Sequence, residues 1–214
     1  MIIRKIQFGC LCALAVAFFV TPAAAHNVLD SWEGNAGMMM PMTLNVNHGC
    51  KGEPVIGLRI QVPEGVTDAK AAFDPNWDIS YKMRKLETPI MAHGREVNEV
   101  VGEIVWSNPV KAVPADGWYP FKFRWTLPKE VGAIHHVKNI TVCENSSDGY
   151  VDLPEQALNS QDPEFPKKSW GFMTATRHPA PFKVIRAPAK PHYPWEWTAE
   201  QARGTPAQQE AMAR

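Results

Sequence analysis

The residue with the most chemistry to offer is His26. It follows Ala23-Ala24-Ala25, the small-residue pattern that a signal peptidase reads. Cleavage between Ala25 and His26 is therefore expected, and it makes His26 the first residue of the mature chain. A terminal histidine carries two nitrogens, the α-amine and ring Nδ1, that can chelate one metal. Nitrogen pairs suit Cu(II), which favours tetragonal geometry and heads the divalent affinity series. The amine has a pKa near 8, so a metal can displace its proton at neutral pH.

Other metal-binding side chains cluster downstream. His48 lies two residues before Cys50 and continues the apolar face of Leu44 and Val46. Alone it reads as a hydrogen-bonded strand histidine, and beside His26 it becomes the first choice for an added ligand. Met38, Met39, Met40 and Met42 bracket Pro41. Thioethers are soft donors that favour Cu(I), which gives Met38, Met40 and Met42 a possible metal role. Flexible apolar filling between sheets is the equally open alternative. His135 and His136 are adjacent on an expected strand, so their rings should point to opposite faces and not share an ion. His93 and His178 precede Gly94 and Pro179 and read as turn residues.

The start of the chain separates the cysteines. Arg4 and Lys5 precede an apolar run from Phe8 to Val20, too short for a spanning helix, so residues 1–25 read as a signal peptide. Cys10 and Cys12 fall within it. Cys50 and Cys143 remain, and two thiols in an exported chain most simply form one disulfide. A thiolate metal site would call for CxxC spacing, which is missing. The expected location is the periplasm or the secreted fraction.

Composition narrows the classes. The chain has 214 residues, 22 basic and 22 acidic, with 45% apolar residues and 19 prolines. Zero net charge argues against nucleic acid as a partner. There is no GxSxG, HExxH, P-loop or dinucleotide fingerprint, so nothing asks for an enzyme.

Period-two alternation places strands at Thr43–His48, Leu58–Val62, Ile79–Met83, Val100–Trp106, Trp118–Trp125, Val137–Cys143 and Phe182–Arg186. Seven short strands with turn signals between them predict an all-β antiparallel sandwich. Asn159 to Ser169 is polar and proline-punctuated, and reads as a loop. Residues 187–214 form a Pro/Ala-rich tail, in which Thr198 to Gln201 fits a capping box and Gly204-Thr205-Pro206 a helix stop. The expected division is 1–25 signal, 26–186 sandwich, 187–214 tail.

Several segments resemble the YcnI-like copper-binding proteins. They are Ala25-His26, Asn47-His48-Gly49-Cys50-Lys51-Gly52, the stretch Leu58 to Val66, Glu103 to Ser107, Thr141-Val142-Cys143-Glu144 and His178-Pro179-Ala180-Pro181, in that order. The resemblance implies an immunoglobulin-like or cupredoxin-like sandwich. It also implies Cu(II) held by a single terminal-histidine brace, beside a CopC/CopD-type membrane copper transporter or another periplasmic copper protein. In the family pattern an acidic residue and a tryptophan complete the site. Here Arg59 aligns with the acid, and Tyr150-Val151-Asp152-Leu153 stands where the tryptophan is expected. The methionine cluster is not part of that pattern.

The leading expectation is an exported copper chaperone or buffer with His26 as anchor. A copper-dependent oxidase or oxygenase and a metal-free adhesion module are the two alternatives.

Overall fold

The computed structural model describes residues 26–92, 94–191 and 193–203. The expected signal peptide and its cleavage site, the turn at His93 and the stop at Gly204-Thr205-Pro206 lie outside these residues. In chain order the strands are β1 (Val28–Leu29), β2 (Glu33–Asn35), β3 (Met39–Val46), β4 (Val55–Gln61), β5 (Lys70–Ala71) and β6 (Asp78–Ala92). They continue with β7 (Arg95–Ser107), β8 (Tyr119–Thr126), β9 (Ile134–His136), β10 (Asn139–Cys143), β11 (Ser147–Tyr150) and β12 (Phe182–Arg186). Helix α1 spans Phe165–Ala175 and α2 spans Ala199–Arg203.

All seven expected strands form. One sheet has the order β1-β3-β8-β5 and another β11-β10-β4-β7-β6. Alternation explains how they pack. Phe121, Phe123 and Trp125 on β8 are buried while Lys122 and Arg124 between them are exposed. On β4 Leu58 and Ile60 are fully buried, and Arg59 points the other way. The two inner faces meet where Trp106 of β7 packs edge-on against Phe121 of β8, ring centroids 5.6 Å apart. Each such side chain contributes roughly 1.5–3 kcal/mol by leaving water. The chain is an all-β sandwich, and a third sheet, β2-β12-β9, extends it. Within that sheet β2 and β12 run parallel, the exception to the antiparallel rule expected.

The Cys50–Cys143 disulfide is present, with Cα atoms 6.0 Å apart. Cys143 ends β10 and Cys50 lies just after β3, so the bridge ties the two facing sheets. The turn before it needs Gly49, since a Cβ there would stand 1.7 Å from the Glu53 carbonyl oxygen.

Three expectations need correction. Residues 165–169 are the start of α1, not loop. Asp162 begins it: its Oδ1 accepts from Glu164 N at 2.8 Å, its carbonyl accepts from Phe165 N at 2.9 Å, and its carboxylate pairs with Lys168 at 2.7 Å. Pro166 sits in the first turn, where its missing N–H costs nothing. The second correction is the length of β6 and β7, which form a hairpin far longer than Ile79–Met83 and Val100–Trp106 suggest. The third concerns β3, which starts at Met39 and ends at Val46, so His48 lies in the bend beyond it.

The tail behaves partly as expected. Thr198 N donates to Gln201 Oε1 at 2.8 Å and Gln201 N to Thr198 Oγ1 at 3.2 Å, a closed capping box. The tail aromatics pack within the tail: Tyr193 stacks on Trp195 at 4.5 Å, and the Lys190 ammonium sits 3.5 Å above the Trp197 ring.

The adjacent histidines do face apart. His135 is buried and its Nε2 accepts a bond from Trp125 Nε1 at 2.9 Å, while His136 packs edge-on against Phe182. Burial, then the charges of His136 and Lys183, push His135 down from 6.5 to about 4. Between those values the unfolded chain binds a proton that the folded chain refuses, so stability falls as pH drops through this window. The full loss is about 3 kcal/mol, an upper figure. Urea midpoints at pH 7 and pH 4 test this, and His135→Gln should flatten the difference. An unchanged slope in that variant would place the titrating group elsewhere.

Candidate functional site

His26 stands two residues before Val28, the start of β1, whose Val28 and Leu29 pair with Asn45 and Leu44 of β3. Side chains fix its position from both sides. The buried Asn27 donates from Nδ2 to Asn139 Oδ1 at 2.7 Å and to Thr141 Oγ1 at 2.9 Å. Asn47 Nδ2 donates to the His26 carbonyl at 3.0 Å. The His26 ring is half-buried, and its Nε2 has no solvent and no hydrogen-bond partner among the described residues. A buried polar atom left unpaired normally costs about 1–3 kcal/mol. Burial lowers the His26 pKa, the backbone at Arg177 opposes that, and His178 and His48 lower it further. At neutral pH the ring is an uncharged donor.

His48 adjoins this residue, brought there by the turn between β3 and the disulfide. Its Nδ1 lies 2.9 Å from the Gly49 carbonyl oxygen. A carbonyl only accepts, so Nδ1 donates this bond. Nε2 faces the Tyr150 hydroxyl at 3.3 Å. Burial, then the Asp148 charge, pushes the Tyr150 phenol up to about 12, so at neutral pH it is protonated and donates to His48.

His178 lies in a bend before Pro179, as its sequence suggests, and that bend brings it to the same group. Its ring packs edge-on against Tyr150, centroids 5.4 Å apart. Four residues from the ends of both main sheets and the stretch after α1 thus stand together: His26, His48, Tyr150 and His178. Among the described residues, no three His, Cys, Asp or Glu side chains are arranged to hold a metal as they stand.

The remaining expected ligands lie elsewhere. Met42 is in the core, 1% exposed, and Met40 Sδ accepts from Asn35 N at 3.1 Å. Val28 pairs with Asn45, and at about 3.4 Å per residue Met40 is roughly 17 Å further along β3. Met38 precedes that strand. Met38, Met40 and Met42 therefore do not join the histidines, because the strand that presents them runs away from the site. Arg59 is also engaged elsewhere. It meets Glu103 at 2.6 Å, and Lys82 meets the same carboxylate at 2.7 Å.

On its other side His26 borders an open cleft of about 1100 Å³. Helix α1 forms one wall with Phe165, Trp170 and Met173, and Trp32, Phe182 and Val184 line the other. None of the helix side chains is fully buried.

Residues 26–169 match the family described as a domain of unknown function, DUF1775. The chain belongs to the DUF1775 family. This is the family of the YcnI-like proteins that its sequence resembles. The match covers His26, His48 and Tyr150 of this DUF1775 chain and ends before His178. Among solved structures it is similar to an uncharacterized protein from Nocardia farcinica described as having an immunoglobulin-like fold. The TM-score is 0.51 at 14% identity, covering 76% of this chain and 99% of that one. A putative membrane anchored protein from Corynebacterium diphtheriae aligns with a TM-score of 0.33 at 10% identity, over 78% of this chain and 37% of that one. No curated protein matches the chain. Among the described residues no helix is long and apolar enough to cross a membrane.

Sequence reasoning named His26 from its place after the expected cleavage site and His48 from its place at the end of a strand before Cys50. It missed Asn27 and Asn139, whose buried amides hold His26 in place, and it missed Tyr150 and His178 as members of the cluster. Two signals were there: Tyr150 stands where the family carries tryptophan, and His178 opens the His178-Pro179-Ala180-Pro181 segment of the resemblance.

Proposed function

We propose that this DUF1775 protein is an exported copper-binding chaperone or buffer, with mature His26 as a single-histidine brace for Cu(II). The observation that carries the reading is the placement of His26 beside two further histidines, His48 and His178. The donors of this group are imidazole nitrogens, the set that Cu(II) favours. The α-amine freed by cleavage after Ala25 would be a further nitrogen on the same residue. The periplasm or the secreted fraction is the location this requires. A CopC/CopD-type transporter or another periplasmic copper protein is the partner.

The test is a Cu(II) titration of protein beginning at His26 against a form with one added N-terminal glycine. One-to-one binding is expected, and the extension should weaken it by more than tenfold, with nitrogen hyperfine structure changing in EPR. Equal affinity in both forms would defeat the brace, and absence of copper retention at micromolar protein would leave a metal-free adhesion module. One observation favours a copper-dependent oxidase or oxygenase instead. The cleft beside His26 has room and aromatic walls for an apolar substrate. Reductant-dependent oxygen consumption above a free-copper blank would establish that reading.

A further inference from the structure

We propose that the outer face of the β4-β7-β6 sheet holds a binding pocket for a small oxyanion of two or more negative charges, a polycarboxylate or a phosphate compound. None of His26, His48 and His178 lines this pocket, and it needs no copper.

The pocket has a volume of about 740 Å³ and lies where β4, β6 and β7 meet the stretch from β9 to Lys138. Four cations line it: Arg59, Lys82, Arg84 and Lys138. Strand pairing puts them there. Arg59 on β4 points away from the core that Leu58 and Ile60 fill. Lys82 and Arg84 are two positions apart on β6 and share a face. Lys82 stands opposite Glu103 and Met83 opposite Val101, so the register shifts beside Gly102. A Cβ at Gly102 would stand 2.9 Å from Arg84 Cβ, so glycine lets the arginine lie close against the sheet.

Bonds within the protein fix these groups without exhausting them. Glu103, its side chain only 10% exposed, meets Arg59 Nε at 2.6 Å and Lys82 Nζ at 2.7 Å. Arg84 donates to the carbonyls of Val62 at 3.1 Å and Pro63 at 3.2 Å, which are neutral acceptors. Both arginines therefore keep unused N–H donors. The Lys138 ammonium makes no hydrogen bond or ion pair among the described residues. Four cations thus face two carboxylates, Glu103 and the exposed Glu64, and the excess is the complement of a dianion. Neighbouring groups feel that field. Burial raises the Glu103 carboxyl, yet Arg59 and Lys82 hold it below the usual range. Burial lowers His136, the Ala180 carbonyl opposes that, and the Lys138 charge lowers it further. Guanidinium forks and ammonium groups suit both carboxylate and phosphate oxygens. The volume is that of a small-molecule pocket.

Calorimetric titration of the metal-free full chain with citrate and with pyrophosphate, at low ionic strength, tests this. At least one anion should bind one-to-one and shift the amide NMR signals of Gly102, Glu103 and Lys138. A preference between the two distinguishes a carboxylate ligand from a phosphate one. Lys138→Ala breaks no bond and should weaken binding by about tenfold, the scale of one charged hydrogen bond. Lys122→Ala, on the other sheet, should leave it unchanged. No saturable binding of either anion at millimolar concentration would overturn the proposal. An equal loss in the Lys122 variant would do the same, by showing diffuse attraction without a site. Binding of hexaglutamate but of neither small anion would assign the surface to an acidic peptide instead.

Discussion

Replacing Lys183 with alanine is expected to cost the fold about 1–3 kcal/mol, the scale for losing hydrogen bonds made by a charged group. Lys183 lies on β12 with its side chain 1% exposed, an unusual place for an ammonium. It survives there because oxygen surrounds it. Nζ donates to Ser31 O at 2.8 Å and Ser31 Oγ at 2.5 Å, and approaches Asp30 Oδ1 and Glu33 O at 3.4 Å each. Burial lowers its pKa and Asp30 opposes that shift. Truncation would remove these bonds, leave a void beneath the exposed residues Asp30, Ser31 and Glu33, and free the segment between β1 and β2. Lys183→Met keeps the stem but not the charge, and should lose less. Urea unfolding of both variants is the measurement. A loss below about 1 kcal/mol in the alanine variant would mean that water replaces the ammonium at little cost.

Removing the disulfide should be more severe. Cys50 and Cys143 are separated by 93 positions, and closing a loop of that length nominally contributes about 4–5 kcal/mol through the unfolded chain. Both residues are buried, so Cys50→Ala with Cys143→Ala also removes core contacts. The urea midpoint should fall and the m-value rise, because the unfolded chain without its bridge exposes more surface. A midpoint shift without a change in m would assign the loss to packing instead. The site should feel the change as well, because His48 reaches Tyr150 through the turn that Cys50 anchors. Reduced protein is expected to bind Cu(II) more weakly than oxidised protein.

Where the sequence could be read, half-burial made it readable. On β8 one face packs on the core and the other meets water, so Phe121-Lys122-Phe123-Arg124-Trp125 announces its own pleat. The outer parts of β6 and β7 lack that contrast. From Lys85 to Ala92 most side chains are exposed or half-exposed on both faces, and Pro89 argues against a strand. Pairing across the hairpin decides there, not alternation. Helix α1 was hidden for a related reason: no side chain of it is fully buried, and Pro166 reads as a breaker although it sits where a helix tolerates it. The site divides in the same way. His26 and His48 carry their chemistry in their residue type. His178 stands in the His178-Pro179-Ala180-Pro181 segment, but its place beside Tyr150 depends on the isolated bridge between Pro179 and Asp152, which the sequence does not announce.

That spread has a consequence in time. The cluster draws on residues 26, 48, 150 and 178, so His26 is made first and His178 last of the four. Non-local pairings of this kind form late, after the entropy of closing long loops has been met. A nascent or truncated chain would hold His26 and His48 without their neighbours. The four residues come together only once β11 and the segment around Pro179 have joined the sandwich.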